Sequence, residues 1–237
     1  MIDINCDMGE GTGNEALLLP FIHSANIACG YHAGNNETME QVIQLCLQHN
    51  VHIGAHPSYP DRENFGRTTM QISGEEVYQL VIAQLQKINT IAKINGSKLY
   101  HVKPHGALYN TAAKNVETAK AIATAVKDFD ASLIYFGLSG SVMTAEASKI
   151  GLKVFNEVFA DRTYQKDGSL TPRDQPNALL IDREAVQFQV KKIIQENKVF
   201  AVSGEEIILK ADTICIHGDG EHAVEFAKII YQTVHEE

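Results

Sequence analysis

Ionisable side chains recur at the ends of short β-branched runs in this chain, and their spacing puts several of them on shared faces. Side chains alternate along a strand, so Asp3, Asn5 and Asp7 share one face while Ile2, Ile4 and Cys6 share the other. The same count groups His52, Gly54 and His56, then His101, Lys103 and His105, then Thr213, Cys215, His217 and Asp219. Asp7, His56, Lys103 and His105 come from three different strands, and their convergence predicts a hydrolytic site built from a carboxylate, histidines and a lysine. A lysine facing a protein interior is costly unless paired, and a site is the usual reason to keep it. His52 and His101, taken singly, read as hydrogen-bonded packing residues. Asp7, His32, His56 and His105 are also suitable ligands for a divalent ion such as zinc or nickel, although no tight signature such as HExxH accompanies them.

The elements that must position this set alternate in type. Strands are predicted over Ile2 to Asp7, Ala25 to Cys29, Val51 to His56, Lys98 to Lys103, Ser132 to Leu138, Lys153 to Phe159 and Thr213 to His217. Segments of helical period lie between them, as a parallel sheet with helical crossovers requires. Asn36 is placed to cap a helix with Met39, Val42, Ile43, Cys46 and Leu47 on one stripe, ending at Asn50. Ser73-Gly-Glu-Glu76 reads as a capping box ahead of Val77, Leu80, Val81, Leu85, Ile88, Ile91 and Ala92, with Gly96 as the stop. Asp182 opens a further helix carrying Val186, Val190, Ile193 and Ile194 inward, and Asp219 caps the last, with Ala223, Phe226, Ala227 and Ile230 buried. A hairpin, Val199 to Val202 and Glu206 to Leu209, is inserted before the final strand. The polar, aperiodic run from Ala160 to Asn177 reads as a functional lid. Almost every strand ends in a polar group, whereas an open sheet gathers its ligand groups at one switch point. The expectation is therefore one domain over residues 1–237, an α/β barrel of about seven strands with its site at the C-terminal ends.

Composition narrows the partners. The 237 residues are 44% hydrophobic and 21% charged, ordinary globular values. A formal charge of −9 argues against a nucleic-acid partner. No run approaches the length of a membrane span, and the opening Met-Ile-Asp-Ile-Asn lacks the basic and apolar regions of an export signal. Cys6, Cys29, Cys46 and Cys215 sit in apolar segments without a CxxC pair, so buried, reduced thiols and a cytoplasmic address are expected. Gly9-Glu-Gly11-Thr-Gly13 lacks full GxGxxG spacing, and Glu10 would repel a pyrophosphate; no GxxxxGK[ST] occurs.

Longer stretches carry a resemblance. Asp-Ile-Asn-Cys-Asp-Met-Gly-Glu (3–10), Ala-Asn-Ile-Ala-Cys-Gly-Tyr-His-Ala-Gly (25–34), Gly-Ala-His-Pro-Ser-Tyr-Pro-Asp (54–61), Phe-Gly-Arg (65–67), Val-Lys-Pro-His-Gly-Ala-Leu-Tyr (102–109), Glu-Val-Phe-Ala-Asp-Arg-Thr-Tyr (157–164) and Cys-Ile-His-Gly-Asp (215–219) together resemble the family of 5-oxoprolinase A subunits, also called LamB/YcsF. The resemblance implies a distorted α/β barrel of the glycoside hydrolase and deacetylase kind. It also implies opening of 5-oxoproline to L-glutamate with ATP as co-substrate, magnesium accompanying the nucleotide, and two partner subunits, B and C. On that reading Asp7 or His56 is general base, Lys103 stabilises oxyanion or phosphate charge and His105 protonates the leaving nitrogen. Arg67 or Arg162 holds the substrate carboxylate, Asn5, Asn26 and Glu157 orient the ring, and Glu10, His32, Asp161 and His217 complete the binding set. Two other readings compete: a stand-alone, metal-dependent amidohydrolase or deacetylase, and a non-catalytic barrel that organises its partners.

Overall fold

In the computed structural model, residues 2–218, 220 and 222–235 are described. Six parallel strands follow one another in chain order: β1 (Asp3–Met8), β2 (Ser24–Ala28), β3 (His52–His56), β4 (His101–Val102), β5 (Ile134–Leu138) and β6 (Lys153–Phe159). An antiparallel hairpin, β7 (Lys198–Phe200) with β8 (Glu206–Ile208), stands apart from them. β9 (Thr213–Ile216) then pairs with both β6 and β1 and closes a barrel of seven parallel strands. The helices are α1 (Glu15–Leu18), α2 (Asn36–His49), α3 (Gly74–Ile94), α4 (Gly106–Ala112), α5 (Val116–Phe129), α6 (Val142–Lys149), α7 (Arg183–Glu196) and α8 (Ala223–His235). Outward-facing strand residues such as Ile4, Cys6, Ile27 and Ile214 pack with helix residues such as Ile43, Leu85, Val126 and Ile230 into one core. The expected barrel, its strand number and the detached hairpin are all present.

Local chemistry accounts for most boundaries. Ser73 Oγ accepts from Glu76 N–H and Glu76 Oε2 accepts from Ser73 N–H, so the capping box opens α3 where expected. Asp182 caps α7 through Ala185 N–H. The cap of α2 is Asn35 rather than Asn36, because Asn35 has extended backbone and its Oδ1 accepts from Thr38 N–H. Leu47 is not on the buried stripe but 44% exposed: it lies about 100° round the helix from Cys46, beyond the arc of Met39, Val42, Ile43 and Cys46. β4 is shorter than expected. Only His101 and Val102 join the ladder, flanked by Tyr100 N–H to Ile53 O and Lys103 N–H to Ala55 O, before Pro104 removes the next donor. The expected cap Asp219 lies outside the described residues.

The barrel lumen is polar rather than aliphatic. Asp3 accepts from Ser24 Oγ and Thr213 Oγ1 at the bottom, Thr213 Oγ1 accepts from Asn5 Nδ2, and Asn26 Nδ2 donates upward to Asn5 Oδ1 and Asp7 Oδ1, both at 2.8 Å. Strand register sets this ladder, since Asp7 lies opposite Asn26 and Asn5 opposite Cys215. His101 donates from Nε2 to Asn26 Oδ1 at 2.7 Å and stacks on Phe136, the packing role expected of it. Gly54 makes room for that ring, because a Cβ there would lie 2.0 Å from His101 Nε2. Gly54→Ala is therefore expected to destabilise the fold by about 3 kcal/mol, read as a lower urea midpoint; an unchanged midpoint would show that His101 moves aside.

All four cysteines are buried free thiols, as expected. Burial pushes Cys29 and Cys46 up to about 12, and Cys6 and Cys215 well above the usual thiol range. The reactive thiolate is thus scarce at pH 8. Native protein should resist iodoacetamide there for hours and gain four labels only after unfolding, as mass spectrometry can count.

Candidate active site

Lys103 follows β4 and is the hub of the strand-end cluster. Its side chain is buried, and Nζ lies 3.0 Å from Asp7 Oδ1, 2.9 Å from Glu157 Oε1, 3.1 Å from Asn5 Oδ1 and 3.0 Å from Cys215 Sγ. The Glu157 contact is an ion pair whose Oε1 is off the hydrogen-bond direction, while Oε2 accepts from Tyr109 O–H at 2.7 Å. Burial alone would pull the Lys103 ammonium down, but the Asp7 carboxylate leads the neighbours that hold it well above the usual lysine range. Burial likewise opposes ionisation of Asp7, yet His56 and then Lys103 keep its carboxyl well below the usual range. Burial, and then Glu157, raises the Tyr109 phenol, so Tyr109 stays a donor. The result is a fixed cation between two carboxylates on the floor of a cavity.

Beside it stands a histidine cluster. His56 Nδ1 donates to Lys103 O at 2.7 Å, which turns Nε2 toward Asp7 Oδ2 at 3.4 Å and His105 Nδ1 at 2.9 Å. His105 Nε2 donates to Phe65 O at 2.9 Å, and its ring stacks on His32 with centroids 3.8 Å apart. Glu10 Oε1 lies 2.9 Å from His32 Nε2 and 3.3 Å from His105 Nδ1. Burial pushes the His32 imidazole down to about 3 and His105 well below its usual range, so both are neutral rings. The loop that receives His105 is held in unusual backbone: Phe65 has φ +57°, a strained value for a side-chain-bearing residue, and at Gly66 a Cβ would sit 2.9 Å from both His105 Cδ2 and His32 Cβ.

The cavity above these groups has a volume of about 750 Å3, within the range of small-molecule sites. Asp7, Glu10, His56, Lys103, His105, Arg67, Arg162 and His217 line it, while Asn5, Asn26, His32, Glu157 and Asp161 lie behind and position them. Arg162 is tied by its guanidinium to Ala178 O and Thr171 O; burial, then Arg173, draws it down to about 10, still a cation at neutral pH. His217 Nδ1 rests 2.9 Å from Asp161 Oδ1; burial opposes ionisation of that carboxyl, but His217 holds it below its usual range. Residues 169–174 of the long polar loop wall one side of the cavity. Sequence reasoning missed Tyr109, Arg173, Ser58 and the carbonyl of Phe65. Tyr109 sits one helical turn after His105, a spacing that signals a shared face; the others carry no signal.

Fold and site together define a closed parallel (β/α) barrel with an ionisable cluster at the C-terminal ends of its strands. The chain belongs to the LamB/YcsF family, which it matches over residues 2–237. It is 51% identical over 232 residues to a protein of Oceanobacillus iheyensis named as the A subunit of 5-oxoprolinase, covering 96% of this chain and 90% of that one. The solved lactam utilization protein of Thermus thermophilus is 40% identical and superposes with a TM-score of 0.91 over 99% of this chain and 96% of that one. A family 4 carbohydrate esterase of Streptomyces lividans, at 11% identity, shares the fold with a TM-score of 0.52, over 98% of this chain and 86% of that one.

Proposed function

We propose that this chain is the A subunit of an ATP-dependent 5-oxoprolinase that works with subunits B and C to open 5-oxo-L-proline to L-glutamate. The observation that carries the reading is the buried Lys103 ammonium paired with the Asp7 carboxylate at the base of a cavity rimmed by Arg67, Arg162 and His217. The names of the relatives supply the lactam. A lactam carbonyl is a poor electrophile, and no recognisable phosphate loop occurs in this sequence. ATP, with magnesium, is therefore used with the partner subunits to phosphorylate the carbonyl oxygen, and the present chain acts on the phosphorylated ring.

In that reaction water adds to the carbonyl carbon as Asp7 Oδ2 takes its proton. Lys103 offsets the charge on the oxygen and phosphoryl group. The tetrahedral adduct must expel nitrogen rather than phosphate, or the lactam is simply regenerated. Asp7 returns its proton to the ring nitrogen, and the C–N bond breaks as the adduct hydroxyl releases its proton to become the acyl carbonyl and the freed amine takes up a proton. A second water releases phosphate from the resulting acyl phosphate. One lactam, one ATP and two waters thus give glutamate, ADP and phosphate. Arg67 on the rim meets the substrate carboxylate, Glu157 and Asn5 hold Lys103, and Asn26 holds Asp7. His56 and His105 face each other across 2.9 Å, and we assign them to the cluster with Glu10 and His32 instead of to the proton relay.

A packed apolar lumen would favour a purely organising role; the polar ladder from Asp3 to Lys103 supports catalysis instead. The four buried, unpaired thiols are in keeping with a cytoplasmic setting. Among the described residues no helix is long and apolar enough to cross a membrane. The test is reconstitution: the chain with subunits B and C and ATP should form glutamate from 5-oxoproline, and omission of any component should stop it. Metal-dependent hydrolysis by the chain alone, without ATP, would replace this reading with the amidohydrolase one.

A further inference from the structure

Three imidazoles in the cluster have their hydrogens fixed by their outer partners. The carbonyl of Lys103 can only accept, so His56 Nδ1 carries a proton, and a second, on Nε2, is exchangeable for a cation. The carbonyl of Phe65 fixes His105 in the same way, leaving Nδ1 as a lone pair. Ser58 Oγ lies 3.0 Å from Tyr59 O and 2.8 Å from His32 Nδ1; with its proton on Tyr59 O it accepts from Nδ1, and His32 Nε2, the third inward nitrogen, is then a lone pair. All three converge. His56 Nε2 faces His105 Nδ1 at 2.9 Å, and His32 Nε2 and His105 Nδ1 face the oxygen of Glu10 at 2.9 and 3.3 Å, with His56 Nε2 at 3.8 Å from that oxygen. With no proton or cation at the centre these contacts set acceptor against acceptor.

A proton on His56 Nε2, shared with His105 Nδ1 and facing Asp7 Oδ2, relieves those contacts and leaves His32 against Glu10. A single cation at the centre relieves all of them. Donors bound at the usual zinc distances stand about 2.9 to 3.4 Å apart in octahedral or tetrahedral arrangements; three of the contacts here fall in that range, and the 3.8 Å between His56 Nε2 and Glu10 Oε1 must shorten. The outer partners match what metal-bound histidines require, since each ring donates its second nitrogen to a carbonyl or hydroxyl that fixes tautomer and orientation. We propose that Glu10, His32, His56 and His105 bind one divalent first-row transition cation of the zinc class. The site differs from the set expected from the sequence: Glu10, from the turn after β1, takes the place of Asp7, which is held by Lys103 and Asn26. Glu10, His56 and His105 reach the cavity wall, so a cation held by them would border the substrate space. The inference does not rest on the lactam reaction, because binding is a property of the chain itself.

The test uses the untagged full chain, stripped with chelator and titrated with zinc against a chromophoric competitor, with bound metal counted by mass spectrometry. Wild type should take up one equivalent at micromolar free zinc, as should His217→Gln, which alters the neighbouring Asp7, Cys215 and His217 group. Glu10→Gln and His32→Gln should bind at least about tenfold more weakly, since losing even an outer partner of a ligand costs that much. Absence of stoichiometric binding to folded wild type, or equal binding by those two variants, would overturn the proposal. Should a variant fail to fold, cobalt-loaded wild type decides. Visible ligand-field bands without a thiolate charge-transfer band support the nitrogen and oxygen set, whereas a thiolate band would place the metal at Cys215 and refute it.

Discussion

Replacing Lys103 with methionine is expected to lower folding stability by about 3–5 kcal/mol and to abolish glutamate formation by the reconstituted complex. Methionine preserves the length of the side chain and its contact with Phe159, so packing changes little. What disappears is the charge between Asp7 and Glu157, two carboxylates withdrawn from water. Leaving such groups unpaired costs more than the pair itself contributes, since the desolvation has no offset. The two proteins should also respond to acid with opposite sign. In the wild type Asp7 has a depressed value, so its stabilisation is complete above the unfolded carboxylate value of about 3.9 and fades as pH falls below it. In Lys103→Met Asp7 keeps His56 but loses the second cation that offsets its burial, so its value moves up and the deficit should shrink as pH falls from about 7 toward 5. Denaturant midpoints across that range measure it; parallel curves would show that Lys103 does not hold the Asp7 carboxylate ionised.

The second large effect is expected from Asp7→Asn, and there the fold should survive. Asparagine keeps an oxygen for the bonds from Asn26 Nδ2 and Lys103 Nζ, while its amide nitrogen takes the place of Asp7 Oδ2, which lies 3.4 Å from His56 Nε2. Lys103 retains Glu157 as counter-charge. Only the ability to take and return a proton is lost, which corresponds to about 10²–10⁴ in rate. Steady-state turnover at saturating 5-oxoproline and ATP reads the effect, with thermal unfolding as the control. A rate within a few-fold of wild type would remove Asp7 from the proton relay.

Much of this arrangement is legible in the chain, for identifiable reasons. Alternation by two along β1, β3 and β9 is a rigid property of pleated backbone, so residue spacing alone assigns Asp7, His56 and Cys215 to the lumen face. Capping at Ser73 and Asp182 depends on neighbours within one helical turn and is equally readable. Other features depend on contacts between distant segments. The hydroxyl of Ser58, the turned carbonyl of Phe65 and the clearance at Gly66 fix which nitrogen of each histidine faces inward, and none has a periodic signature. Glu10 reads as a binding residue in the sequence, but its partnership with three rings comes from barrel closure, which brings the β1 turn against the loops after β2, β3 and β4. Leu47 shows the limit of stripe counting, because a residue on the flank of an apolar arc is buried only if a neighbour covers it.

The ratio of ATP consumed to glutamate formed, measured on the complex carrying Asp7→Asn, separates ring opening from phosphorylation. If phosphorylation proceeds with the partner subunits while this chain opens the ring, ATP use should continue as glutamate formation collapses, because the phosphorylated lactam reverts to 5-oxoproline in water. A ratio that stays at the wild-type value, whether both rates persist or both fall together, would contradict the assignment of ring opening to the Asp7 and Lys103 cavity.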